Sequence, residues 1–296
     1  MSAMLLALPG NERMADNLCR LLPAESCPVT VRRFPDGESY VRILEKVSGR
    51  HLILLCSLDR PDEKLAALLL LAGAAREAGA ASLGLVAPYL AYMRQDSRFQ
   101  EGEATSARHV AGWLSREVDW LVTVDPHLHR ITALSEVYSI PTRVAHAAEP
   151  VAQWIRSNVA KPLLLGPDEE SGQWVSDIAG QIGAHYQVLT KLRHGDRDVT
   201  VSRLDAARWR DHTPVLVDDI VSTARTMIES VRQVHACGLA SPTCIGVHAI
   251  FADDALEQLK QAGVERIVST DTVSHETSWI SVAEPLAQAV RELLPA

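Results

Sequence analysis

Short apolar runs alternate along this chain with stretches whose apolar residues recur every three or four positions. Leu52 to Cys56 precedes a helical pattern from Glu63 to Ala78, Leu83 to Val86 follows, and Arg108 to Glu117 leads into Leu121 to Val124. The pattern resumes with Leu163 to Leu165, a helix from about Gln173 to Ile182, and Tyr186 to Leu189. Then come Val215 to Val217 with a helix through Met227, Ile228 and Val231, Cys244 to Ile250, a helix from about Asp254 to Ala262, and Ile267 to Val268. Such continuous apolar runs, separated by amphipathic helices, predict mostly parallel strands buried on both faces and joined by crossover helices. The fold class is α/β, with open Rossmann-like sheets.

A chain of 296 residues is long enough for two domains, each with its own core. Pro141 and a polar turn before a helix starting near Glu149 put the boundary between about Ile140 and Ala148. The expected domains are 1–145 and 146–296, with the last helix packing on the N-terminal domain. Val122 to Asp125 reads VTVD and Val215 to Asp218 reads VLVD, a shared signature that hints at duplication.

Composition narrows the function without naming it. With 47% hydrophobic and 22% charged residues the chain reads as globular, and a net charge of −8 argues against nucleic acid as partner. The five cysteines form no C-x-x-C pair and are read as reduced. Met4 to Leu8 lacks a basic flank and is cut off by Pro9 and Gly10, and Leu65 to Leu71 is far below the roughly 18 residues of a membrane span. A cytoplasmic protein with a small-molecule partner and no membrane partner is expected.

Chemistry concentrates where strands end. In VLVDDIVSTART the small residues Ser222, Thr223, Ala224 and Thr226 suit a phosphate held by backbone N–H groups at a helix start. Asp218 and Asp219 would repel that phosphate, so they suit ribose hydroxyls or a bridging cation. Helix capping by Asp219 or Ser222 is the plain alternative. There is no G-x-G-x-x-G after a strand and no G-x-x-x-x-G-K-[ST] loop, so any nucleotide is held otherwise.

Two polar segments, Arg32 to Ile43 and Pro88 to Ser106, contain two of the three phenylalanines, Phe34 and Phe99, which favours stacking. Pro35, Asp36 and Gly37 also make a good hairpin turn. Arg94, Gln95 and Asp96 follow a strand end, and the stretch from Ser97 to Ser106 after them reads as a mobile loop, so that Arg94 and Arg98 could close on a triphosphate, or as solvated surface. His127 and His129 follow Asp125 at a strand end, and Asp168, Glu169 and Glu170 form a second acidic strand end suited to magnesium. Lys191 and Arg193 follow another strand and suit a transferring phosphoryl group.

In order, FPDGE at Phe34, RQD at Arg94 with GE at Gly102, DPH at Asp125, GPD at Gly166, KLR at Lys191 and VDDIVSTART at Val217 resemble the ribose-phosphate pyrophosphokinases, over nearly the whole chain. The form RFQEGE is most similar to the archaeal-type branch. The resemblance implies two tandem phosphoribosyltransferase-type domains and transfer of the β,γ-diphosphate of ATP to the 1-hydroxyl of ribose 5-phosphate, releasing AMP. It implies that Phe34, Asp36, Gly37, Glu38, Arg94, Gln95 and Asp96 bind ATP, at an adenine site shared between subunits of a homo-oligomer. Asp218 and Asp219 would hold the ribose, Ser222, Thr223, Ala224, Arg225 and Thr226 its phosphate. His127 and Asp168 would serve Mg2+, His127 acting in catalysis together with Lys191 and Arg193.

Arg225 stands where glycine is usual in the family, a poor choice if that position needs a positive φ. Glu169 and Glu170 bring negative charge where glycines are commoner. A non-catalytic regulatory paralogue would be expected to lose some of His127, Asp168, Lys191 and Arg193, yet all are present. A phosphoribosyltransferase accounts for the Val217 to Thr226 loop but leaves the first half unexplained.

Overall fold

The computed structural model describes residues 3–169, 171–189, 191–194, 198–201 and 206–295, with backbone alone at 191–194, 198–201 and 206. The chain divides into two compact units, Met1–His146 with Val282–Ala296, and Ala147–Ser281.

The first unit is built from β1 (Ala3–Ala7), α1 (Glu12–Leu21), β2 (Ala24–Ser26), a hairpin of β3 (Val29–Arg33) and β4 (Ser39–Ile43), β5 (His51–Leu55), α2 (Pro61–Glu77) and β6 (Ser82–Ala87). It continues with α3 (Ser106–Glu117), β7 (Trp120–Val124) and β8 (Thr142–Ala145). The second contains α4 (Ala148–Asn158), β9 (Pro162–Gly166), α5 (Gly172–Ile182), β10 (His185–Val188), a hairpin of β11 (Lys191–His194) and β12 (Asp198–Val201), and α6 (Ala206–Trp209). After these come β13 (Thr213–Val221), α7 (Arg225–Ala236), β14 (Thr243–Ala249), α8 (Ala255–Gln261), β15 (Arg266–Thr270) and β16 (Ser278–Ile280). The final helix, α9 (Ala283–Leu293), belongs to the first unit and packs on α1, β7 and β8.

Each unit holds a six-stranded sheet, ordered β2-β1-β5-β6-β7-β8 and β10-β9-β13-β14-β15-β16, and every pairing in them is parallel. With the hairpins set aside, both sheets follow one plan: second strand at the edge, then first, third, fourth, fifth and sixth. In each unit a hairpin is inserted at the same point, between the second and third strands.

This shared plan supports duplication but corrects the pairing expected from the sequence. VTVD lies on the fifth strand of its sheet, β7, and VLVD on the third of the other, β13. They are not equivalent; both end on an acid because the C-terminal ends of parallel strands are where polar groups gather.

The interior follows the apolar runs. Leu52, Ile53, Leu54 and Leu55 on β5 and Leu163, Leu164 and Leu165 on β9 are fully buried, each such side chain contributing about 1.5–3 kcal/mol. α2 turns Leu65, Leu68, Leu71, Ala72 and Ala75 inward at the three- and four-residue spacing that made it legible. Gly84 on β6 is forced by packing, since a Cβ there would meet the Trp120 ring at 2.0 Å. No helix among the described residues is long and apolar enough to cross a membrane.

Candidate active site

In the first unit, the Pro35–Gly37 stretch makes the turn of the β3–β4 hairpin. Phe34 N–H donates to Glu38 O at 2.8 Å, Gly37 N–H to Phe34 O at 2.9 Å, and Glu38 N–H to Asp36 Oδ1 at 3.2 Å. Gly37 has φ +95, which explains the glycine. Phe34 is nevertheless not a core residue: it is 39% exposed, and the Arg32 guanidinium lies 4.6 Å from its ring centroid and 4.2 Å from that of Tyr40.

The segment after β6 is held by one acid. Glu103 Oε2 accepts Phe99 N–H at 2.8 Å, Gln100 N–H at 3.1 Å and Gln95 Nε2 at 3.4 Å, while Ser106 Oγ donates to Gln95 Oε1 at 3.4 Å. Within the stretch expected to be a mobile loop, the chain turns around the Glu103 carboxylate. Arg94, Arg98 and Phe99 remain exposed, but Asp96 is buried.

β7 delivers Asp125 with φ +31, a left-handed conformation that takes the chain off the sheet into Pro126 and His127. Its N–H donates to Ala145 O at 3.1 Å, and its Oδ1 lies 2.8 Å from His146 Nδ1. The His127 and His129 rings stack edge to face with centroids 4.2 Å apart.

In the second unit, Asp168 follows β9 and closes on the start of α5: Ser171 N–H donates to Asp168 Oδ1 at 3.1 Å and Ser171 Oγ to Asp168 O at 2.6 Å. Gly166 is required because a Cβ would lie 2.5 Å from Ser171 Oγ. Glu169 is exposed, and Glu170 lies outside the described residues. Lys191 and Arg193 are on β11, in register with Val201 and Val199 of β12.

β13 runs farther than its apolar core, to Val221, so Asp218 and Asp219 are strand residues rather than the start of a loop. Asp218 pairs in register with Gly246 on β14, where a Cβ would meet Val221 Cγ2 at 2.6 Å. Burial pushes the Asp218 carboxyl well above the usual carboxylate range, and the charges of Asp219 and Asp168 add to the rise. Three acids therefore crowd the end of the β9–β13 pair.

The chain then turns through Ser222 and Thr223 into α7. The helix is preceded by Ala224 at φ +55, and no side chain caps it, which removes the capping alternative for Asp219 and Ser222. The left-handed position is Ala224, not Arg225, so Arg225 is an ordinary first helical residue and its side chain carries no backbone penalty. The helix closes with Ile228 N–H to Ala224 O at 2.8 Å, so the N–H groups of Arg225, Thr226 and Met227 have no intrahelical acceptor. They are donors suited to an anion.

Three features lie outside the residues expected from the sequence. Arg130 is the partner of Asp96, donating its N–H to Oδ2 at 2.9 Å and Nη1 to Oδ1 at 3.1 Å. His146 is the partner of Asp125. At the ends of β14 and β15, Thr270 Oγ1 and Thr272 Oγ1 donate to Val247 O at 2.6 and 3.0 Å, and His248 Nδ1 lies 2.9 Å from Thr272 Oγ1. The last had a weak signal, since the short apolar pair Ile267 and Val268 runs into Ser269, Thr270 and Asp271, a further strand followed by an acid.

Residues 3–117 match the family model described as the N-terminal domain of ribose phosphate pyrophosphokinase, and residues 133–288 that of the phosphoribosyl transferase domain. The chain is 32% identical over 290 residues to the ribose-phosphate pyrophosphokinase of Methanothermobacter thermautotrophicus, covering 98% of this chain and 100% of that protein. It is 34% identical over 292 residues to the protein of the same name from Methanopyrus kandleri, covering 97% and 98%. Among solved structures, phosphoribosylpyrophosphate synthetase from Mycobacterium smegmatis matches with a TM-score of 0.85 at 23% identity over 99% of each chain, a likeness of fold.

Proposed function

The chain belongs to the ribose-phosphate pyrophosphokinase family, and from that premise we infer that it transfers the β,γ-diphosphate of ATP to the 1-hydroxyl of ribose 5-phosphate in the cytoplasm. The oxygen of that hydroxyl attacks the β-phosphorus, the bond from the β-phosphorus to the bridging oxygen breaks, AMP leaves with that oxygen, and a proton is released. The observation that carries this reading is the end of β13. Two carboxylates on the strand are followed a few residues on by a helix start whose first N–H groups have no intrahelical acceptor, a polarity that matches a sugar with a phosphate at one end.

On this reading Asp218 and Asp219 accept hydrogen bonds from the ribose hydroxyls, while Ser222, Thr223, Ala224, Arg225 and Thr226 hold the 5-phosphate. Phe34, Asp36, Gly37, Glu38, Arg94 and Gln95 hold ATP, with Phe34 offering a stacking surface on an exposed hairpin. Lys191 and Arg193 neutralise the charge that spreads over the diphosphate as it moves, the main contribution a protein makes to such a transfer. A phosphoribosyltransferase would use only the second unit and would leave the RQD and DPH segments of the first without work.

Magnesium fits the donors present. Among the described residues no group of three or more His, Cys, Asp or Glu side chains forms a metal cage, but magnesium is ordinarily held by one or two carboxylates, water and substrate phosphates. Asp168, close enough to raise the Asp218 pKa, suits that role, with His127 serving the nucleotide side. The ion would supply charge neutralisation on the phosphate oxygens. Protein incubated with magnesium, ATP and ribose 5-phosphate should give AMP and phosphoribosyl diphosphate in equal amounts; ADP as the product would overturn the reading. Lys191→Ala should lower turnover by at least about 100-fold with the fold intact.

A further inference from the structure

Asp96 differs from the residues around it. Arg94 and Phe99 are exposed, Phe99 at 60%, whereas the Asp96 side chain retains 3% of its surface. A carboxylate this buried is stable only with its charge answered and its oxygens hydrogen-bonded. Both oxygens are answered by one residue: Oδ2 by the Arg130 N–H at 2.9 Å and Oδ1 by Arg130 Nη1 at 3.1 Å. These bonds hold the Asp96 carboxyl below its usual range against the burial that would raise it.

Arg130 lies in the stretch that leaves β7 and carries His127, so the pair ties that stretch to the one that follows β6. The arginine does more than neutralise. Its side chain is 62% exposed, and its guanidinium sits 5.2 Å from the Phe99 ring centroid, a cation–π distance. One fork thus reaches from a buried carboxylate beside Gln95 to an exposed ring in the Glu103 turn. A lysine could answer the charge but lacks the planar fork that can bond a carboxylate and also stack on a ring.

We propose that Asp96 and Arg130 form a positioning brace that fixes the 94–106 and 125–131 segments to each other and sets the Phe99 ring, so that Asp96 serves nucleotide binding through Arg130 rather than by touching ATP. The proposal rests on the reading that these segments hold ATP.

The test is a double-mutant cycle on the full chain with Asp96→Asn, Arg130→Gln and their combination. Each single variant should raise KM for ATP about tenfold, leave KM for ribose 5-phosphate within about twofold, and lower kcat little. The double variant should match the worse single variant, because the two residues act as one unit. Arg130→Lys should recover part of the loss. Effects that multiply in the double variant, an unchanged KM for ATP, or equal losses for both substrates would overturn the brace.

Hydrogen exchange gives a readout independent of turnover. Arg130→Gln should expose the amides of Phe99 and Gln100 as well as those of 127–131, and protection unchanged in 94–106 would also overturn the proposal. Absence of diphosphate transfer in the unmodified protein would refute the functional reading while leaving the exchange result to judge the brace.

Discussion

Asp218, half-buried, and Asp96, buried, are two carboxylates pushed in opposite directions, and the difference is one of partners. Asp218 faces Asp219 and Asp168, so burial and like charge raise it; Asp96 faces Arg130, whose bonds lower it despite burial. A raised carboxyl holds a proton in the folded state that the unfolded chain has lost, so stability falls as pH climbs from the ordinary aspartate value towards the raised one. Asp218→Asn should therefore melt about 2–4 °C higher than the parent protein at pH 8, the shift that about 1 kcal/mol gives at this size. Near pH 4 the gap should close, and ribose 5-phosphate binding should be lost at both. Asp96 has the reverse sign: its stabilisation is present above the ordinary aspartate value and is lost as pH falls through its lower folded value. Asp96→Asn should flatten the acid limb in denaturant titrations across pH. Asp125 and Asp218 were legible in the sequence because they follow apolar runs, and Asp96 because it stands in the RQD motif. Their partners Arg130 and His146 were not, since a contact across 34 or 21 positions leaves no local pattern.

Elements were legible where period and punctuation agreed. The three- and four-residue spacing of α2 gave that helix, whereas Pro35, Asp36 and Gly37 offered the β3–β4 hairpin only as the alternative to a stacking segment. β13 is longer than the apolar run suggests, because two adjacent aspartates look like the end of a strand. Pairing with Gly246, His248 and Ala249 on β14 carries it on to Val221, an example of tertiary context overriding local propensity. The conformation of Ala224 was likewise hidden, because alanine seldom takes a positive φ. Ala224→Gly should relieve that strain and stabilise the protein by about 1 kcal/mol, whereas Ala224→Val should destabilise it by a similar amount or more. Thermal melts check both, and the glycine variant should keep its affinity for ribose 5-phosphate if the helix start alone shapes that site.

For the whole molecule, the plan common to the two sheets puts the FPDGE and KLR hairpins at equivalent points, between the second and third strands of each sheet. The alternation of apolar runs and helices showed the α/β class, but local acid-ended strands matched the wrong members of the two sets. Strand order is fixed by pairing between distant segments, and a short motif does not encode it. The first unit draws on both ends of the chain: α9 packs on α1, β7 and β8, with Arg143 Nε 2.6 Å from Glu292 Oε2 and Arg291 Nη2 donating to Leu21 O at 2.6 Å. Ending the chain at Ser281 should therefore strip hydrogen-exchange protection from β7 and β8 while leaving β13 and β14 protected; equal loss in both units would contradict the division. The central claim, that a diphosphate moves as one group, is tested most directly by following ATP labelled at the β-phosphorus in the presence of magnesium and ribose 5-phosphate. All transferred label should appear in the sugar diphosphate and none in the AMP, whereas label retained in ADP would rule out diphosphate transfer.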